Sequence, residues 1–169
     1  MIQFMTSREL QQYLLREFPQ ENACCEWKEM KNLKNSFAGD EKNDVISYVS
    51  AIANMEGGHL VIGVQDKTLE IVGTDLTKFN LNAQSAVWKL VEHCTNLSSE
   101  GLDICEYVTE DTQKVVWVIH IPKHLPRRPV YAHKKAWQRV EDSLVEMTQE
   151  RLSAILEEAI FEAKDWSAE

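Results

Sequence analysis

Hydrophobic residues recur at helical spacing in four stretches of the chain. The first stretch, about Ser7–Glu17, follows Thr6, which precedes Glu9 by the three residues of a capping box. The same periodicity predicts three further helices, over about 41–56, 81–95 and 149–161. Gly57-Gly58 ends the second of these and allows the next strand to pass close to it. Asn54, one turn earlier, is polar for a packed helix, and we expect its side chain to hydrogen-bond to the ends of loops.

Between the helices, apolar residues alternate with polar ones or form short continuous runs, as in β-strands. Residues 23–30 alternate, which places Cys25 and Trp27 on one face and Glu26 and Lys28 on the other. Further strands are predicted over 59–65, 69–72, 102–108, 115–121 and 130–140, the last interrupted as a hairpin would be. Because helices and strands are interspersed without a strict β-α-β alternation, the sequence predicts an α+β fold with a mixed, largely antiparallel sheet and helices on its faces.

The length of 169 residues fits one domain, which we expect over 1–162, with 163–169 as a tail or the start of a linker to a further domain. Hydrophobic residues make up 44% of the chain, but no run approaches the roughly 18 apolar residues that span a bilayer, so we expect no membrane association. The first residues lack the pattern of a secretory signal, so the cytoplasm is the expected location. The cysteines form no C-x-x-C pair, so neither a zinc site nor redox chemistry is indicated.

The formal charge of −9 is unevenly distributed along the chain. Residues 141–169 carry nine acidic side chains against Arg151 and Lys164, a local charge of −7 that leaves −2 for residues 1–140. By contrast, segment 123–139 contains no acid and six cations, namely Lys123, Arg127, Arg128, Lys134, Lys135 and Arg139. The net charge therefore does not exclude a basic surface that binds a nucleic-acid backbone and releases its counterions.

Two interpretations of this basic stretch remain open, because it also contains Tyr131 and Trp137. In the first, exposed aromatic rings between the cations stack on unpaired bases. In the second, the stretch is a charged hairpin and both aromatic side chains belong to the hydrophobic core.

Motifs of the common nucleotide hydrolases and metalloproteases are absent. No G-x-x-x-x-G-K-[ST], G-x-G-x-x-G, G-x-S-x-G or H-E-x-x-H occurs, and no organic cofactor is indicated. Three carboxylates, Glu21, Glu26 and Asp66, are candidate ligands of Mg²⁺ or Mn²⁺, since hard cations prefer oxygen ligands and can promote phosphodiester cleavage. Lys28, on the same strand face as Glu26, would then neutralise the scissile phosphate. On spacing alone, the signal for a metal site is weak, because three acids can always be chosen among 27. The other interpretation is that these acids are surface carboxylates and that Glu26 and Lys28 pair with other strands.

Two segments of the chain carry a more specific pattern. The first is Glu21–Lys28, which reads E-N-A-C-C-E-W-K, and the second is Ala51–Asp66, in which A-x-A-N-x-x-G-G leads into an apolar strand and G-V-x-D. Together these two segments resemble the Schlafen AlbA-like domain family. Residues 137–140 are similar to the last strand of that family. The resemblance extends over about 20–156 and implies a nucleic-acid-binding domain, which in bacterial proteins is often described as DNA-binding or ATP-binding.

The related core of animal Schlafens is an endoribonuclease that acts on transfer and ribosomal RNA. By this resemblance, its acidic triad corresponds to Glu21, Glu26 and Asp66. Our first hypothesis is therefore a metal-dependent endoribonuclease whose cations at 123–139 hold the backbone. Because the animal core has two lobes and this chain has one, a homodimer would supply the second wall of the groove. The alternatives are a non-catalytic module that binds DNA, RNA or ATP within a larger protein, and a protein-interaction domain.

Overall fold

The computed structural model describes residues 2–18, 25–28, 45–65, 68, 70–74, 82–140 and 143–168. The helices in this part of the chain are α1 Ser7–Glu17, α2 Val45–Ala53, α3 Ala83–His93 and α4 Gln149–Ala168. The strands are β1 Ile2–Met5, β2 Cys25–Lys28, β3 Gly58–Ile62, β4 Cys94–Thr95, β5 Asp103–Thr109, β6 Val115–Ile121, β7 Tyr131–Ala132, β8 Lys135–Val140 and β9 Ser143–Glu146. Among the described residues, no helix is both long and apolar enough to cross a bilayer.

The strands form two sheets, and the fold is α+β, as predicted. The first sheet has the order β1-β5-β6-β3-β2, and the second has the order β4-β7-β8-β9. Strand β1 pairs with β5 and β2 pairs with β3 in parallel, whereas the other pairs are antiparallel. The sheet structure is therefore mixed and largely antiparallel.

Helix α1 covers one face of the first sheet and begins with the predicted capping box. The Thr6 hydroxyl accepts the Glu9 N–H at 3.1 Å, and the Thr6 N–H donates to the Glu9 carboxylate at 3.3 Å. The helix buries Leu10 and Leu14 against a cluster that includes Val118 of β6. Burying apolar area of this kind is the main favourable term that fixes the helix on the sheet.

Helix α2 lies in the larger core, on the opposite face of the first sheet. Every residue from Val45 to Ala53 is buried, which fits a helix that is apolar nearly all round. The chain then turns at Gly57, which has a φ of 76°. A Cβ added there would lie 2.7 Å from the carbonyl oxygen of Ile121 and 2.7 Å from the backbone nitrogen of Lys123. Gly57 thus allows a close backbone approach, and the neighbour is the chain that leaves β6.

Three strands, β1, β4 and β9, were not predicted, and one predicted strand is nearly absent. Strand β4 occupies the last two residues of the predicted helix 81–95. Strand β1 leaves Ile2 and Phe4 exposed at the edge of its sheet, and β9 buries Leu144 alone among its residues. Such edge strands are held by backbone pairing, so their side chains carry little periodic signal. In the predicted strand 69–72, the described residues contribute only an isolated bridge, which joins Ile71 to Val64.

Candidate nucleic-acid interface

The cations of segment 123–139 lie mainly on two turns that follow β6. In the first turn, the Arg128 N–H donates to the Leu125 carbonyl at 3.0 Å, and the chain then enters the β7–β8 hairpin. Five of the six predicted cations are exposed, namely Lys123, Arg127, Arg128, Lys134 and Lys135. We call residues 123–135 the basic segment.

Basic side chains occupy backbone positions in these turns that glycine or asparagine usually fills. His133 (φ 54°) and Lys134 (φ 66°) are both left-handed and lie between the paired residues Ala132 and Lys135. This is the backbone geometry of a two-residue hairpin turn of type I′. Arg127 in the preceding turn is also left-handed, with a φ of 62°. Because this conformation costs a non-glycine residue about 1–2 kcal/mol, the surrounding structure must hold both turns in place.

The side chain of Asn54 supplies part of that support, and the prediction made for it is confirmed. Its Nδ2 donates to the carbonyls of Val130 and Trp137, each at 2.8 Å, and its Oδ1 accepts the Val130 N–H at 2.7 Å. Arg151 of α4 donates to the main-chain carbonyl of Asn54 at 2.9 Å from Nε and 2.6 Å from Nη2. Asn54 is fully buried, so water does not compete for these bonds, and the base of the hairpin is tied to the end of α2.

Acidic neighbours compensate the charge at the start of the basic segment. Lys123 pairs with Glu56 at 3.3 Å. The buried imidazole of His124 lies between the Ala53 carbonyl, 3.0 Å from Nδ1, and the Glu158 carboxylate, 2.8 Å from Nε2. In the described residues, no ion pair engages the three cations Arg127, Arg128 and Lys134. These three side chains are therefore available to an external phosphate.

The two aromatic residues of this stretch differ in exposure. Trp137 is buried in the core, and its indole N–H donates to the Ala132 carbonyl at 3.0 Å. Tyr131 is half-buried. The stacking interpretation is therefore wrong for Trp137, which belongs to a charged hairpin with its aromatic ring in the core.

Arg139 requires a correction, because the sequence prediction placed it with the backbone-binding cations. Its side chain is 0% exposed and forms an ion pair with Glu26 of β2, which is 2% exposed. The guanidinium carbon also lies 5.7 Å from the centre of the Tyr48 ring. Strand β8 is buried on both faces at this point, so the side chain meets a carboxylate inside the protein instead of solvent.

Of the three carboxylates in the predicted triad, only Glu26 lies in the part of the chain that the structure describes. Glu21 and Asp66 lie outside the described residues, and so does the side chain of Lys28. Alternation along β2 does place Cys25 and Glu26 in opposite directions, since Cys25 belongs to the α1 side of the sheet. As placed, the Glu26 carboxylate does not fit a ligand of Mg²⁺ or Mn²⁺, because it is closed to solvent and already carries a cationic partner. In the described residues, no group of three or more His, Cys, Asp or Glu side chains is placed to hold a metal ion.

A second titratable cluster lies on the α1 face of the first sheet, and no motif in the sequence predicts that its members come together. The Cys105 sulfur is 3.3 Å from Nε2 of His120, whose ring centroid is 4.8 Å from that of His59. Burial, and then the positive charge of His120, lower the pKa of His59. Burial, and then the negative charge of Asp103, raise the pKa of the Cys105 thiol. The thiol therefore stays protonated and is not an activated nucleophile.

Comparison with known proteins identifies the family. The family described as "Schlafen, AlbA_2" matches residues 21–148, which is most of the chain. The chain belongs to the Schlafen AlbA_2 family. A search of curated proteins finds no match. Among solved structures, the DIP2311 protein from Corynebacterium diphtheriae is similar, with a TM-score of 0.50 and 18% sequence identity over 74% of this chain. The aligned part is 22% of that protein's length, so the likeness concerns the fold alone.

Membership in the Schlafen AlbA_2 family indicates a nucleic-acid-binding domain, which agrees with the exposed cations of the basic segment. The matched residues include β2, the end of α2 with Asn54 and the whole basic segment. The fold and the broad class of ligand thus agree with the expectations from the sequence.

Proposed function

We propose that this Schlafen AlbA_2 domain binds the phosphate backbone of nucleic acid through the basic segment. Arg127, Arg128 and Lys134 are the principal contacts, and Lys123 and Lys135 lie beside them. The observation that carries the proposal is the exposure of five cations on two tight turns within a stretch that contains no acid. Lys28 remains a further candidate contact from the sequence alone.

The length of the segment and its number of cations limit the phosphates that it can engage. Lys134 lies six positions after Arg128, and an extended chain of that length spans at most about 21 Å. Phosphates follow one strand at a spacing of about 3.4 Å along the axis, so about six of them fall within this reach, and the five exposed cations can engage four or five of these. The logarithm of the affinity should then fall with the logarithm of salt concentration with a slope of about −3 to −4.

Charge reversal tests the location of the interface. The variant Arg127→Glu/Arg128→Glu/Lys134→Glu should lose affinity for a fluorescent RNA or DNA strand on the order of 100-fold at low salt, and its salt slope should fall by about 2 to 3. The matched control is Arg8→Glu/Lys89→Glu/Lys114→Glu. These three exposed cations lie on α1, on α3 and in the β5–β6 connection, and their reversal changes the net charge by the same amount. Equal losses in the two variants would mean that net charge alone, and not the basic segment, determines binding.

A metal-dependent endoribonuclease is the second candidate function. It is supported by the family match, which includes Glu21, Glu26 and Asp66. Against it, the Glu26 carboxylate already has a buried partner, so binding without cleavage is our first choice. Incubation of transfer RNA with the protein and Mn²⁺ distinguishes the two. Cleavage that is lost on chelation and in both Glu21→Ala and Asp66→Ala would favour the nuclease, whereas intact RNA under conditions of saturated binding would favour the binding module.

The oligomeric state and the choice of ligand belong to the same proposal. A homodimer would provide a second basic segment and so a two-walled groove. Sedimentation with and without RNA tests this, since a dimer should double the protein mass per bound strand. Parallel titrations with RNA, DNA and ATP then separate a polymer-binding domain from a nucleotide sensor.

A further inference from the structure

The ion pair between Glu26 and Arg139 carries an inference about how the interface is positioned. We propose that these two residues form a buried positioning pair that fixes the basic segment to strand β2, and that Glu26 is not a metal ligand. The part that concerns binding rests on the proposed function, whereas the parts that concern stability and metal do not.

The pair joins the two sheets of the domain. Glu26 lies on β2, the edge strand of the first sheet, and Arg139 lies on β8 of the second. Tyr48 of α2 packs its ring 5.7 Å from the guanidinium carbon, so the cation lies between a carboxylate and an aromatic ring. The contact therefore links three elements at one buried point.

Strand β8 transmits this position to the basic segment. It begins at Lys135, immediately after the left-handed Lys134, and Arg139 lies four residues further along. Its central residues are fixed on both sides, since the Trp137 carbonyl accepts from Asn54 and the Gln138 side chain accepts the Thr148 N–H at 2.9 Å. A strand held in this way cannot shift at Arg139 without moving the turn that presents Lys134.

Burial makes the two charges interdependent. Removing one partner of a buried pair leaves the other charge uncompensated in a medium of low polarity, and this typically costs more than removing both. A divalent cation at Glu26 would lie beside the guanidinium and would have to displace it, together with the hydration shell that hard cations keep. Glu26 can therefore pair with Arg139 or bind a divalent cation, but not both, and in this fold it pairs with Arg139.

The sign of the effect on RNA binding distinguishes positioning from simple electrostatics. Glu26→Gln removes a negative charge, so a purely electrostatic role predicts tighter binding of RNA. The positioning pair predicts weaker binding, on the order of 10-fold, measured where the variant is fully folded. Glu56→Gln is the matched control, because Glu56 is an exposed carboxylate that pairs with Lys123. That variant should bind RNA as tightly as the parent or more tightly.

A double-mutant cycle and a metal titration complete the test on the full chain. Glu26→Gln and Arg139→Gln should each lower the folding equilibrium constant, the ratio of folded to unfolded protein, by roughly 100-fold or more. The double variant should lose much less than the product of the two single losses. If a single variant fails to fold, a folded double variant still demonstrates the coupling. Mn²⁺ binding, followed by the loss of the free Mn²⁺ signal in electron paramagnetic resonance, should be the same for the parent and for Glu26→Gln.

The outcomes are separable. Additive losses in the cycle, or Mn²⁺ binding by the parent that Glu26→Gln abolishes, would overturn the positioning pair. Tighter RNA binding by Glu26→Gln would overturn its role at the interface. If the parent protein binds no RNA, the proposed function fails, and the stability cycle and the metal titration still decide the pair.

Discussion

The hydrogen bonds of Asn54 allow a quantitative prediction about the stability of the domain. Replacing Asn54 by alanine removes both donors to the Val130 and Trp137 carbonyls and the acceptor of the Val130 N–H. The position is fully buried, so these three backbone groups lose their side-chain partner without access to bulk water. At about 1–3 kcal/mol for each buried group left unsatisfied, with some relaxation, we expect a total loss of about 3–5 kcal/mol. That is a large fraction of the about 5–15 kcal/mol that stabilises a typical domain.

Urea unfolding followed by circular dichroism measures this loss. The midpoint should fall with little change in the slope against urea concentration, because the surface exposed on unfolding hardly changes. The thermal midpoint should drop by about 10–15 °C at this chain length. The matched control is Asn82→Ala, since Asn82 is an exposed residue whose Oδ1 accepts the Ser85 N–H at 2.8 Å as the N-cap of α3. Loss of that cap should cost about 1 kcal/mol. A loss in Asn54→Ala no larger than in Asn82→Ala would refute the role assigned to the buried amide.

Three further predictions concern other parts of the fold. Gly57→Ala should destabilise the protein by about 1–3 kcal/mol more than Gly101→Ala in urea unfolding. Both sites have a positive φ, but an added Cβ would lie 2.7 Å from backbone atoms at Gly57 and 3.4 Å from a side-chain atom at Gly101. Equal losses in the two variants would show that no overlap occurs at Gly57. The pKa of His59 is lowered in the folded protein, whereas in the unfolded chain it has the ordinary histidine value of about 6.5. Below that pH the unfolded chain binds more protons than the folded protein, so stability should fall as the pH drops through about 6.5. His59→Gln should reduce this pH dependence, and parallel curves for the two proteins would contradict the prediction. Arg151→Met should speed hydrogen exchange in α4 and cost about 1–2 kcal/mol, since it removes the bonds to the Asn54 and Met55 carbonyls; unchanged exchange would show that α4 is held elsewhere.

The sequence predicted those features that depend on local chemistry. The capping box of α1 and the glycines after α2 are local, and each is found where the spacing predicted it. Asn54 was identified because a polar residue inside a buried helix requires a partner, although its partners could not be named in advance. Strand β6 has the bounds that its apolar run predicted.

The site was harder to predict because it depends on which face of a strand is inside. Alternation along β2 correctly separated Cys25 from Glu26, but it could not show that the second sheet buries the Glu26 side. Arg139 belongs to a run of cations in the sequence, and nothing local distinguishes a buried cation from its exposed neighbours. The pairing of Arg139 with Glu26 joins distant parts of the chain, so it is visible only once the two sheets are packed together.

The left-handed turn at His133 and Lys134 limits how this domain can be improved by selection or by design. An Asn-Gly pair would suit the type I′ backbone and should stabilise the hairpin, but it would remove the cation that the turn presents. Under the proposed function, a screen for thermal stability alone would therefore favour variants with weaker nucleic-acid binding. A screen for binding alone would retain the less favourable backbone.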